Sequence, residues 1–188
     1  MSSSQTRKKW NIDGPDGMRY QWMNIRNLIQ PNVRRPSGGG SIMVWAGFYG
    51  VTKTELKFLT GRVSSEKYIF TPQSHFQPMF NPATHVFQQD NAPCHASREM
   101  NESLSSRNIK IMPWPAYFPD LNPIENAWGI MTQHVYAGGK QYYNLQDLQV
   151  AVQAAWDAVT SQQLDTLVQS IRYRFVKILQ LQGEYISY

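Results

Sequence analysis

The chain has 188 residues, 41% of them hydrophobic and 13% aromatic, which is ample for one globular domain with a real core and too few for two full ones. Its formal charge of +5 suits a polyanionic partner, but many soluble proteins are as basic, so charge supports other evidence and decides nothing. A single cysteine, Cys94, excludes an intrachain disulfide and argues against an oxidising compartment. The start MSSSQTRKKW has no apolar signal core, and no run of about 18 apolar residues could span a bilayer, so an intracellular protein without a membrane partner is expected.

In chain order, residues 1–8 offer little apolar surface to bury and read as a disordered tail, with the folded domain covering 9–188. Lys9–Ile12 and Met18–Trp22 flank Asp13-Gly14-Pro15-Asp16-Gly17, a turn composition that predicts a hairpin. Ser37-Gly38-Gly39-Gly40 leads into Ser41–Phe48, an apolar and aromatic run that reads as a central strand, and Glu55–Leu59 adds a short one. Ser64 to about Phe80 has mixed helical character before Pro82.

Thr84–Gln89 reads as a buried strand leading to Asp90, His95–Ser105 as a helix and Ile109–Met112 as a short strand. Pro113, Pro115 and Pro119 keep the next segment irregular, after which Asn122 is placed to cap a helix with Pro123 at its first position. From Asn144, another cap, the tail is expected to be helical throughout. Its two apolar stripes are Val152, Ala155, Trp156, Val159 and Leu164, Leu167, Val168, Ile171, Phe175, Ile178, both packing faces. Strands in hairpin order followed by strands alternating with helices predict an α/β fold, a mixed sheet flanked by helices.

Two carboxylates stand in distinctive settings: Asp90 in FQQDNAPCH and Glu125 in PDLNPIENAWG, with 34 residues between them. A carboxylate at a strand end and another at a helix start can converge on divalent metal ions, as phosphodiester chemistry requires. Each has a plainer reading. Asp90 could make a turn with Asn91 and Ala92, and Glu125, third in its helix, could reach back to the N–H of Asn122.

Together GGGSIMVWAGF, QQDNAPCH and WPAYFPDLNPIENAWG, in this order, resemble the catalytic domain of cut-and-paste transposases of the mariner superfamily, in the branch ending its acid triad in Asp and Glu at this spacing. The resemblance runs from about Trp10 to the carboxyl end. It implies a ribonuclease-H-like fold, shared with retroviral integrases, in which three acids hold two Mg2+ or Mn2+ ions for DNA cleavage and strand transfer. On this mapping Asp90 bridges the metals and Glu125 completes the shell of one. His95 matches the histidine ending the family motif, against the plainer reading of a surface residue. DNA is the implied partner, with a homodimer as a further expectation and no small-molecule substrate; in a eukaryote the protein would be nuclear.

One departure bears on activity. Relatives carry the first acid in a segment like F-S-D-E-S-K-F-N-L-D-G-P-D-G, and matching N-x-D-G-P-D-G to Asn11–Gly17 puts that acid at Thr6 and its acidic neighbour at Arg7. Asp13 cannot replace it, being about 23 Å further along a strand at roughly 3.3 Å per residue and on the opposite face. Family members also have amino-terminal helix-turn-helix modules, and none fits before Trp10. What remains for DNA is backbone contact through Arg7, Lys8, Lys9, Arg34 and Arg35, salt-sensitive, unless these are simply a solvated basic surface. Arg172, where relatives often have proline, is expected to lengthen the last helix.

Three readings follow: a transposase-derived domain, inactive or impaired for want of the first acid; a host-adopted module that binds DNA or protein without catalysis; or a fragment of an active enzyme whose start is misplaced.

Overall fold

The computed structural model describes residues 2–15, 40–59, 81, 86–88, 102, 104–106, 108–112 and 121–180. Strand β1 (Ser2–Asn11) pairs antiparallel with β2 (Ser41–Tyr49), in register from Ser3↔Tyr49 to Asn11↔Ser41. Gly50, at φ +52°, turns the chain into β3 (Thr52–Lys53), and β3 and β4 (Lys57–Leu59) both pair antiparallel with β2. On its other side β1 takes β5 (Val86–Gln88) in parallel, from Ser2↔Val86 to Ser4↔Gln88, giving the order β3-β2-β1-β5.

The expected disordered tail is therefore corrected: β1 begins at Ser2 and is an inner strand. Scarcity of apolar side chains is a poor criterion there, because backbone pairing to two neighbours orders a polar segment. The expected strand at Lys9–Ile12 is the end of this longer one, and Met18–Trp22, its expected hairpin partner, lies outside the described residues. Glu55–Leu59 shortens to Lys57–Leu59. Ile109–Met112 reduces to one parallel bridge, Phe87↔Ile111, with Phe87 N–H on Lys110 O and Met112 N–H on Phe87 O, each at 2.8 Å. Of the helix expected over His95–Ser105, Glu102, Leu104 and Ser105 are described and helical.

Three helices follow: α1 (Pro123–Val135), α2 (Leu145–Ala158) and α3 (Ser161–Gln180). Asn144 caps α2 as expected, its side chain accepting from Asp147 N–H at 2.8 Å. The tail is not one continuous helix, however. Val159 and Thr160 interrupt it, and Thr160 and Gln163 form a reciprocal box: Thr160 N–H donates to Gln163 Oε1 at 2.8 Å and Gln163 N–H to Thr160 Oγ1 at 3.2 Å. α3 runs through Arg172 unbroken, as the absence of proline there allows. No described helix is long and apolar enough to cross a membrane.

The helices cover one sheet face. Alternation along β1 and β2 sends Trp10, Ile42, Val44, Ala46 and Phe48 to that side, where they pack with Ile124, Trp128, Met131, Leu148, Val152, Trp156 and Leu164. Trp45 and Phe87 point the other way and meet Leu104. The sheet thus has apolar matter on both faces, with the larger core beneath α1–α3.

Lys53 fastens the sheet edge to α2, its ammonium donating to Trp156 O at 2.5 Å, Asp157 O at 3.0 Å and Val159 O at 2.8 Å, carbonyls at the helix's C-terminal end. Beside it, Trp156 Nε1 donates to Thr54 O at 2.8 Å.

Candidate active site

The inner strand sets the position of Thr6. It lies opposite Ala46, is 2% exposed, and belongs by alternation to the row Thr6, Lys8, Trp10 on the helix-covered face. Arg7 and Lys9 belong to the opposite face, across from Trp45 and Met43. The basic run is consequently split by the two-residue period of the strand: Lys8 is half-buried and Lys9 exposed, and the two do not share a surface.

Helix α1 carries Glu125. The sequence starts the helix where expected, with Asn122 in extended geometry at φ −90°, ψ 106°, and Pro123 in the first turn, where a missing N–H costs nothing. Asn122 occupies the cap position, but its side chain makes no capping bond; Glu125 N–H bonds Asn122 O at 3.0 Å. Glu125 is half-buried in the first turn, where a carboxylate is favoured by the helix dipole. Midway along α1 the Trp128 ring packs edge-on against Trp10 at 6.5 Å, and at the C-terminal end Tyr136 bonds the backbone of Asn11. The helix is thereby anchored on β1, and Glu125 lies at the end away from Asn11.

Asp90, His95, Arg34 and Arg35 lie outside the described residues. The last described pair of the parallel ladder is Ser4↔Gln88; in sequence, Thr6 and Asp90 each stand two residues beyond it. Among the described residues, no three carboxylate, histidine or cysteine side chains converge on a point.

Two residues at this site escaped the sequence reading. Arg174 of α3 is 5% exposed and its guanidinium donates to Oδ1 of Asn126, the neighbour of Glu125. The signal was present: Arg174 falls three residues after Ile171 and seven after Leu167, on the apolar stripe itself. Phe175, assigned to that packing stripe, is instead 41% exposed, because the helix turns Arg174 inward at this point.

The residues from 50 to 149 match the family of DDE superfamily endonucleases. The chain is 38% identical to the Tc3 transposase of Caenorhabditis elegans over 184 residues, 96% of this chain and 56% of that protein. It is 28% identical to the Tcb2 transposase of Caenorhabditis briggsae, over 93% of this chain and 66% of that one. It thus spans between about half and two thirds of the length of these relatives. The fold superposes on the Mos1 mariner paired-end complex with Mn at a TM-score of 0.80, 17% identity, covering 99% of this chain and 56% of that one. On the Mos1 catalytic domain the TM-score is 0.71 at 15% identity, covering 99% and 84%. The inner β1 between an antiparallel and a parallel neighbour, under α1, is accordingly a ribonuclease-H-like arrangement, and with the family match over more than half its length, this chain belongs to the DDE superfamily endonucleases.

Proposed function

We propose that this chain is a transposase-derived DDE domain for metal-dependent DNA cleavage and strand transfer, catalytically impaired because Thr6 stands where the first acid belongs. The observation that carries the reading is the burial of Thr6 at 2% exposure in the inner strand, facing the helices, while Glu125 is retained in the first turn of α1. Asp90 and Glu125 are the acids proposed to remain, with Mg2+ or Mn2+ as the metal.

The donor set does not suit two dications. A neutral hydroxyl cannot bring the negative charge of a carboxylate to a hard cation, and two acids would face a total charge of four. Arg7, next in sequence, adds positive charge to the segment but belongs to the opposite sheet face. No catalytic step is therefore assigned to a metal pair in the unaltered chain.

DNA is the proposed partner, by analogy with the Mos1 transposase, whose paired-end complex holds a left transposon end. Lys8 and Lys9, on opposite faces, would touch it separately, with Arg34, Arg35 and His95 as further candidates; a second copy of the chain, and a nuclear location in a eukaryote, belong to the same reading. A retained non-catalytic binding module is the second reading. It is favoured by a site position that holds an uncharged, buried residue and so needs no metal to fold.

The test is Mn2+-dependent nicking of supercoiled DNA by the parent chain, by Thr6→Asp and by Thr6→Asp with Asp90→Asn. Cleavage that appears with the added acid and vanishes in the double variant supports the impaired-enzyme reading. Cleavage by the parent chain, abolished by Asp90→Asn, overturns the claim of impairment. No cleavage by a folded Thr6→Asp chain favours the binding module.

A further inference from the structure

Helix α3 is exposed over much of its last turns: Tyr173 is 67% exposed, Phe175 41% and Val176 47%, and Arg172 also faces outward. Arg174, in their midst, is 5% exposed. Removing a guanidinium from water is unfavourable unless its donors are used, so a buried arginine flanked by exposed apolar residues marks an interaction the fold retains at a cost. One bond that it makes crosses from α3 to α1 and ends on Oδ1 of Asn126. α3 packs on α1, so the two helices are already neighbours and the bond selects where along α1 they are locked.

That place matters because Asn126 follows Glu125. The first turn of α1 is held from one side by Pro123 and by Glu125 N–H on Asn122 O, while the Asn122 side chain supplies no cap. A first turn with that capping bond missing frays more readily than one with it. A charge-assisted bond from a buried guanidinium to a side chain of the same turn is a strong replacement, and the planar fork of arginine fixes direction as well as distance.

The geometry points to Arg174 as a positioning residue: from α3 it clamps the first turn of α1 through Asn126 and thereby sets where Glu125 stands. The consequence for metal binding rests on the reading of Glu125 as a metal-holding acid; the clamp itself does not.

The experiment measures amide hydrogen exchange residue by residue along α1 in the full chain, for the parent, Arg174→Leu, Asn126→Leu, the double variant and Asn126→Asp. The clamp predicts at least a ten-fold faster exchange at Glu125–Trp128 in either leucine variant, no change at Met131–Val135, no additional effect in the double variant, and parent-like or slower exchange in Asn126→Asp, which keeps an acceptor. Uniform acceleration along α1, or none, overturns it. Should Arg174→Leu fail to fold, Asn126→Leu and Asn126→Asp make the same comparison from the acceptor side. In the Thr6→Asp background, Mn2+ affinity by electron paramagnetic resonance should fall about ten-fold with Arg174→Leu. Unchanged affinity beside a localised exchange effect overturns the positioning of Glu125. A Thr6→Asp chain that takes up no Mn2+ overturns the metal reading instead, and the exchange pattern still decides the clamp.

Discussion

The hydroxyl of Tyr136 closes two hydrogen bonds on the backbone of one residue, Asn11: it accepts from the N–H at 3.1 Å and donates to the C=O at 2.6 Å. Tyr136 caps the C-terminal end of α1, and Asn11 ends β1, so a single phenol ties the helix that carries Glu125 to the strand that carries Thr6. The Tyr136 ring also stacks on Trp10 at 6.0 Å. Tyr136→Phe keeps the ring and removes both bonds from a buried position, which should cost about 2 kcal/mol. Urea denaturation should show a lower midpoint with an unchanged slope.

Tyr142 gives the fold a pH dependence. Its hydroxyl donates to Val135 O at 2.5 Å, and burial raises its pKa above the usual 10.0. The protonated phenol is favoured in the folded state, so the stabilisation is complete below pH 10 and is lost as pH rises from there through the folded pKa. Lys53 acts in the opposite sense: desolvation lowers its pKa below 10.5 against the pull of Asp157, and its contribution to stability rises with pH in that window. Comparing parent and Tyr142→Phe at each pH cancels the contribution of Lys53. The phenylalanine variant should be less stable by about 1 kcal/mol at pH 8, and the gap should close above pH 10.

How far these relationships were legible in the sequence depends on their range. Local chemistry was readable: Asn144 as a cap, Pro123 at a helix start and Ser41–Phe48 as a strand all follow from what neighbouring residues impose on the backbone. The capping box of Thr160 and Gln163 is equally local, but apolar periodicity continues on both sides of the break and masks it. Long-range pairing was not readable. The order of Ser2–Lys8 comes from two strands distant in sequence, and the inward turn of Arg174 comes from an acceptor 48 positions away. At the site, the departure at Thr6 was legible by alignment to the family pattern, whereas the division of Lys8 from Lys9 required the register of β1.

Lys53 should matter more to stability than a typical surface lysine. Its three carbonyl acceptors lie at the C-terminal end of α2, where a positive charge is favoured, and its ammonium sits 5.4 Å from the Trp156 ring centroid. Lys53→Met retains the stem and should cost about 1–3 kcal/mol. Because the ion is partly withdrawn from solvent, raising salt from 0.05 to 0.5 M should change this difference little, which a pair of denaturation curves would check.

Thr6→Asp offers the sharpest test of the site, because stability and metal binding should respond in opposite directions. A carboxylate at a 2%-exposed position opposite Ala46, beneath the helices, has to be desolvated, and without a cation this should cost about 2–4 kcal/mol at neutral pH. The penalty follows the charged form, so it should shrink as pH is lowered and the acid is protonated. If the added acid completes a metal site with Glu125 and Asp90, a cation bound only by the folded chain returns about 2.7 kcal/mol at one hundred times its Kd. Thermal unfolding in EDTA should therefore show Thr6→Asp below the parent chain, and titration with Mn2+ should raise its Tm while leaving the parent's unchanged. A parent chain stabilised equally by Mn2+ would mean that the ion binds elsewhere. Destabilisation that Mn2+ does not reverse would mean that Glu125 and the new acid do not converge, and the proposed impairment would then involve more than the first acid.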